Sequence, residues 1–297
     1  MGHRAGGRRR ARRGPAGRRP AAQGRHGLRP RRAVLRLGGH AGRHHRGVAL
    51  AAAGPETRAL VAVPCADAAA GCEAIAALFA AGVQAAAIEL VDGGALRAAR
   101  AAFPVPAALP DGAGFLVVVE LDGAPAEVQR LVGEVREAVA PAAMDPYAAT
   151  GAAELEALAR WRDGVSWAVT GVLGAKLSED VVVPVDRIAG LLAAAEAIGG
   201  RHGLPVCTWG HAGDGNLHVS FLLHPGSDDA HGRARLAGGE LHAEAVALGG
   251  SISGEHGIGH VKRDELGLAL GPAGLRVHRA IKDALDPKGL FNPGKKG

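Results

Sequence analysis

Two short glycine-rich stretches hold the residues best suited to chemistry: Gly-His-Ala-Gly-Asp-Gly-Asn-Leu-His at 210–218 and Ser-Gly-Glu-His-Gly-Ile-Gly at 253–259. They supply His211, His218, Glu255 and His256. Two imidazoles and a carboxylate suit a divalent ion such as zinc, and a three-ligand set leaves a coordination position open for a substrate. Glu255 and His256 are adjacent, so their side chains diverge in any extended or turn backbone, and one can face an ion while the other faces a substrate. Taken singly, each histidine also reads as a surface-loop residue, and Glu255 as a solvated residue at a glycine-rich helix start. The metal reading rests on the two stretches meeting.

The elements around them must make that meeting possible. Leu204 to Trp209 reads as a buried strand and Gly213-Asp214-Gly215 as a turn. In the following strand Leu217, Val219, Phe221 and Leu223 alternate against His218, Ser220 and Leu222. Residues seven apart on one continuous strand point to opposite faces. A turn between them removes that objection, and a hairpin sets His211 and His218 side by side at its open end. In the second stretch Gly254, Gly257 and Gly259 free the backbone for positive φ and for close approach of a ligand. Neither stretch is a nucleotide loop: glycines 210, 213 and 215 run G-x-x-G-x-G with a strand after them, and there is no G-x-x-x-x-G-K-[ST] and no His-Glu-x-x-His.

The segments GHAGDGNLH, GGSISGEHGIGHVKRDEL and IKDALDPKGLFNPGKKG resemble, in order and spacing, the signature segments of the C-terminal domain of FAD-linked oxidases. That is the family of D-lactate, glycolate and D-2-hydroxyglutarate dehydrogenases, and the resemblance runs from about residue 55 to 297. It implies an FAD-dependent dehydrogenase of a small 2-hydroxy acid, with His211, His218 and Glu255 as ligands of a divalent metal, zinc or similar. The ion would acidify the substrate hydroxyl, and His256 would take its proton, an imidazole's ordinary pKa of ~6.5 lying close to working pH. Hydride would pass to the flavin.

The same resemblance places Arg162, in WRDGVS, where an arginine grips the substrate carboxylate, and Ser166 where a hydroxyl meets the substrate; the alternatives are a helix-capping arginine and a loop serine. Asn216 would position substrate or flavin and Asn292 would touch the flavin, or both are turn residues. Lys176 reads as solvated, and Glu89 as an exposed strand residue or part of the pocket wall. Full members carry an N-terminal flavin-binding domain that nothing in residues 1–54 resembles. The resemblance therefore implies a truncated or misread member, whose missing half a separate FAD-binding chain would supply. A hydroxy-acid-binding accessory module without catalysis is the alternative.

Composition adds bounds. Residues 1–50 hold fifteen Arg and no Asp, Glu or Lys, so the net charge of +6 divides into +15 for that stretch and −9 for the rest. Residues 1–48, an Arg/Gly/Ala/Pro/His segment without a periodic apolar face, read as disordered. Nucleic-acid binding through this arm is the lesser reading; its monotony is also what a G+C-rich gene gives when read out of frame. Cys65, Cys72 and Cys207 form an odd set without metal spacing and read as buried thiols in a reducing compartment. No apolar run reaches the ~18 residues of a membrane span and no secretion signal is evident, which makes the cytoplasm the default.

Residues 49–297 read as the folded domain. Strands are expected at 60–63, 87–91, 115–121 and 180–184. Helices are expected along Cys72-Ile75-Phe79 up to Gly82, along Val128-Leu131-Val132-Val135, from about 148 to 160, from an Asp186 cap to Gly199-Gly200, over 228–247 with His242 and Glu240 on the surface, and on to Leu285. The expected fold is α+β, a mostly antiparallel sheet of ferredoxin-like cap type with helices on one side and the histidine hairpin at one end.

Overall fold

The computed structural model describes residues 55–104, 109–223 and 229–295. The expected disorder of 1–48 and the boundary at 48/49 lie outside them. Seven strands form one sheet: β1 (Thr57–Cys65), β2 (Ala87–Val91), β3 (Phe115–Gly123), β4 (Tyr147–Ala149), β5 (Lys176–Val182), β6 (Val206–His211) and β7 (Asn216–Leu222), in the order β4-β1-β3-β2-β6-β7-β5. Every pairing is antiparallel. The described helices are α1 (Ala68–Ala80), α2 (Gly93–Ala99), α3 (Pro125–Val139), α4 (Ala152–Leu173), α5 (Ile188–His202), α6 (Ala230–Ala247) and α7 (Leu266–Leu285). The α+β class and the antiparallel sheet are as the sequence implies.

The helices, however, cover both faces. Val61, Val63, Val117, Val119, Leu217 and Phe221 pack with residues of α1, α3, α5 and α6, whereas Leu60, Ala62, Leu116, Val118 and Cys207 pack with α2 and α4. The reason is visible in the strands themselves. Leu60 to Val63 and Phe115 to Val119 are unbroken apolar runs, and alternating residues on both faces then need cover.

On the second face α4 runs well past residue 160. Leu158, Trp161, Val165 and Val169 continue one buried stripe, the Trp161 indole donates to the Ala99 carbonyl at 2.9 Å, and the helix ends at Gly174, φ 91°. Arg162 and Ser166 therefore sit on a helix rather than after one. Two other expectations are corrected. Asp186 does not cap α5, whose N-terminus has no side-chain cap; it pairs with Arg187 instead, at 3.5 Å. The Gly199-Gly200 pair lies inside α5, which stops at the left-handed Gly203.

The sheet has a seam. β2 and β6 pair over three residues only, Glu89 with His211, Leu90 with Gly210 and Val91 with Trp209. Asp92 braces it: its carboxylate accepts the Thr208 amide at 2.6 Å while capping α2 at Ala95, and burial pushes its pKa up to about 6. Beside the seam the β6–β7 turn is fastened on two sides, Gly213 N–H donating to the Ile88 carbonyl and Val183 N–H to the Gly215 carbonyl. Gly215 has φ 79°, and a Cβ there would lie 1.9 Å from the Val183 carbonyl oxygen. Gly215→Ala should therefore cost at least ~2 kcal/mol through strain and displaced backbone, read as a lowered urea midpoint with the slope unchanged.

Candidate metal centre

Two rungs of the sheet carry the site. On one, Glu89 of β2, His211 of β6 and Asn216 of β7 are successive partners; on the next, Trp209, His218 and Asp180 of β5 are. Alternation puts all six side chains on one face. His211 and His218 are thus diagonal neighbours across the hairpin, with ring centroids 5.6 Å apart. They lie at its turn end, not its open end.

Glu255 joins them from the later loop. Its Oε1 is 3.4 Å from His218 Nε2 and 3.9 Å from His211 Nε2, and the three ligand atoms lie within 4.8 Å of one another. His256 stacks on His218 at 5.1 Å, 18° from parallel, and its Nε2 is 3.5 Å from the Glu255 carboxylate. Glu255 and His256 are half or more exposed, so the group opens outward. A second triad, Asp180, His218 and His256, is equally compact, but Asp180 is already committed. Its carboxylate accepts from the Ser253 hydroxyl at 2.8 Å and from the backbone N–H groups of Gly254, Glu255 and His256 at 3.1, 3.2 and 2.9 Å. The donor accounting favours His211, His218 and Glu255 as the cation set.

The two histidines are tuned differently. Glu89, 7% exposed, accepts His211 Nδ1–H at 2.8 Å, which leaves the Nε2 lone pair facing Glu255 and His218; a carboxylate behind an imidazole is a common support for a metal ligand. That hydrogen bond raises the His211 pKa against the opposing effect of burial. His218 is shifted down by burial and by the neighbouring His256, which keeps it neutral and able to donate a lone pair. Glu89 is therefore a wall of the site and not an exposed strand residue.

Asn216 is buried beneath the loop, with its side-chain Oδ1 lacking a hydrogen-bond partner. A Cβ on Gly254 would lie 2.1 Å from that oxygen, so only glycine lets the loop settle here. Gly257 and Gly259 do take positive φ; Gly254 serves by its size. Arg162 reaches the edge of the group, its guanidinium 3.8 Å from Glu89 and 3.2 Å from Asp163. It sits in mid-helix, so the helix-capping alternative does not hold. Ser166 accepts the Lys176 ammonium at its carbonyl, 2.7 Å, and its hydroxyl, 2.9 Å. Lys176 also lies 4.7 Å from the centre of the Trp209 ring, and burial lowers its pKa. It is not the solvated lysine the sequence suggests. Asn292 is not in this group: it lies at φ 48° on the C-terminal turn, lining another cleft with Arg279, Lys282 and Asp286.

Asp180 and Lys262 are site residues that the sequence does not single out, Glu89 takes the pocket-wall alternative of its two readings, and the surface reading of His242 is wrong. That ring is 2% exposed, hydrogen-bonded to Glu179 and Glu265. One signal was available: Glu179-Asp180 opens the apolar run Val181-Val182-Val183, and carboxylates on an interior-facing strand need partners. Hydrogen bonding from the loop holds the Asp180 carboxyl below its ordinary 3.8 despite burial. A depressed carboxylate contributes stability that is complete above its unfolded pKa and is lost as pH falls through the folded one. The stability gap between the parent and Asp180→Asn, measured by urea unfolding, should be constant from pH 6 to about 5 and shrink progressively below about 4.

Comparison with known proteins bears on this arrangement. The family model described as FAD linked oxidases, C-terminal domain, matches residues 54–296. The glycolate oxidase subunit GlcD of Bacillus subtilis (strain 168) is 33% identical over 189 residues, covering 63% of this chain and 40% of that protein. A D-lactate dehydrogenase of Anaerostipes hadrus is 36% identical over 140 residues, 44% of this chain and 29% of that one. Among solved structures, p-cresol methylhydroxylase with substrate bound superposes with a TM-score of 0.60 at 16% identity, over 82% of this chain and 53% of that one, a likeness of fold. The chain thus spans well under half the length of these two curated relatives. With a match that takes in every described residue, the chain belongs to the FAD-linked oxidases, through their C-terminal domain.

Proposed function

We propose that this chain forms the substrate side of an FAD-dependent dehydrogenase of small D-2-hydroxy acids, such as D-lactate or glycolate. The observation that carries it is the convergence of His211 Nε2, His218 Nε2 and Glu255 Oε1, with His256 beside them. The named activities of the glycolate oxidase and D-lactate dehydrogenase relatives support the substrate class.

The donor set fits a divalent ion of the zinc type: two neutral-capable imidazoles, one supported by a carboxylate, and one acidic side chain, with open positions toward solvent. Such an ion, when bound, supplies Lewis acidity that favours the ionised form of a coordinated hydroxyl. His256 stands next to Glu255 and takes the hydroxyl proton. Arg162 and Lys176 offer cations to the substrate carboxylate, a guanidinium fork being the better match to its two oxygens. Asn216, buried beside His211 under the loop, serves to position substrate or flavin.

FAD, when bound, supplies the two-electron acceptor. This chain's own residues then bind the acid and move its proton, with Asn216 available to the flavin. The Bacillus subtilis relative is named as a subunit, which supports a separate flavin-bearing or electron-accepting partner.

The test is calorimetry on the full chain with Zn²⁺ and with D-lactate or glycolate. Binding of the acid should require the metal, and His218→Ala should weaken Zn²⁺ binding by more than about 100-fold, beyond the range of a supporting residue. His256→Asn should leave Zn²⁺ affinity unchanged and, in FAD-loaded protein, lower kcat by about 100-fold or more. Equal binding of the acid with and without metal would sink the reading.

A further inference from the structure

Behind the site, on the other side of β5, lies a buried group of charges that the proposed reaction does not use. Lys262 is 8% exposed. Its ammonium donates to the Asp180 carbonyl at 2.8 Å and the Ile252 carbonyl at 2.7 Å, and meets Glu179 Oε2 at 3.1 Å. An ammonium has three protons, and here it has three acceptors. Glu179, 8% exposed, receives His242 Nε2 at 3.0 Å, and the other nitrogen of His242 bonds Glu265. Burial raises the Glu179 pKa, but His242 and Lys262 more than offset it, so its carboxylate is held below the ordinary range.

The placement of these bonds matters more than their number. Ile252 and Lys262 are the two ends of the loop that carries Ser253, Glu255 and His256, and the Lys262 ammonium ties both ends to β5. The Ile252 end is further fixed by the Ser251–Val182 bridge. The middle of the loop is held by the Asp180 carboxylate from the opposite face of the same strand. Adjacent strand residues point to opposite faces, so Glu179 and Asp180 grip the loop from two sides of the sheet. Without Lys262 the loop would keep the Ser251–Val182 bridge at its start and the Asp180 attachment at its middle, but its far end would lose its tie to β5.

We infer that Lys262, seated on Glu179 and through it on His242 and Glu265, is a positioning residue that sets the Glu255–His256 turn against the histidine hairpin. The inference rests on the metal reading above for its consequence, but the ordering of the loop is measurable without metal. It assigns Lys262 no contact with substrate.

The experiment compares the full chain with Lys262→Met, which keeps the length of the side chain and removes its donors, and Glu179→Gln, which keeps a hydrogen-bonding side chain and removes the charge. Co²⁺ serves as the probe, since its visible absorption reports coordination as well as affinity. Lys262→Met should weaken Co²⁺ binding by about 10- to 100-fold and change the visible bands of the bound ion. It should also speed amide exchange at residues 254–256 while leaving exchange in β1 and β3 unaltered. Glu179→Gln should move the same readouts in the same direction by about threefold. A folded Lys262→Met protein that binds Co²⁺ within twofold of the parent and keeps its 254–256 exchange rates overturns the inference. If Lys262→Met does not fold, unchanged affinity and exchange in Glu179→Gln overturn it. If the parent chain binds no Co²⁺, the metal reading falls, and the exchange rates at 254–256 still decide what Lys262 does.

Discussion

One carboxylate sets the geometry on which the rest depends. Asp180 gathers three consecutive backbone N–H groups and the Ser253 hydroxyl. That fixes the direction in which the Glu255 and His256 side chains leave the loop. Backbone amides in series make a concave anion site, and here the anion comes from the protein. Because Asp180 is the strand partner of His218, the loop is placed directly over the hairpin histidines and not elsewhere along the sheet edge. A carboxylate used this way is committed to the loop, which leaves Glu255 as the acidic group beside His211 and His218, where we propose a cation binds.

A second carboxylate acts from below. Glu89 lies across the seam from His211 and takes its Nδ1 proton, so the tautomer and the ring orientation are set together. The result is two histidines with opposed tendencies: His211 drawn toward the charged form by Glu89, and His218 toward the neutral one by burial and by His256. A divalent ion bound here would displace a proton chiefly from the first.

Much of this was legible in the sequence, and for physical reasons. The alternation of Leu217, Val219 and Phe221 against His218 and Ser220 defines a strand with one buried face, and Gly213-Asp214-Gly215 defines the turn. Together they bring His211 and His218 to one face without knowledge of the fold. The glycine-rich Ser253–Gly259 stretch announced a special backbone. What could not be read were partnerships across distance. Whether Leu60 to Val63 needs helices on one face or two depends on what packs there. The burial of His242 depends on Glu179, which lies sixty-three residues earlier, and α6 is so rich in alanine and glycine that its faces are hard to tell apart. Lys176 reads as solvated until α4 and Trp209 are brought over it. Helix ends are hard to read where the stop is a single positive-φ glycine, Gly174 or Gly203, and other glycines lie within the helix before it.

The short seam between β2 and β6 has a consequence for how the protein comes into being. β1 to β4 and β5 to β7 can each zip up from their own neighbours, but the rung that joins Glu89 to His211 closes a loop of more than a hundred residues. Such contacts are entropically slow to form. Until it closes, the hairpin histidines have no carboxylate behind them, so the two half-sheets must dock before the supported imidazole exists.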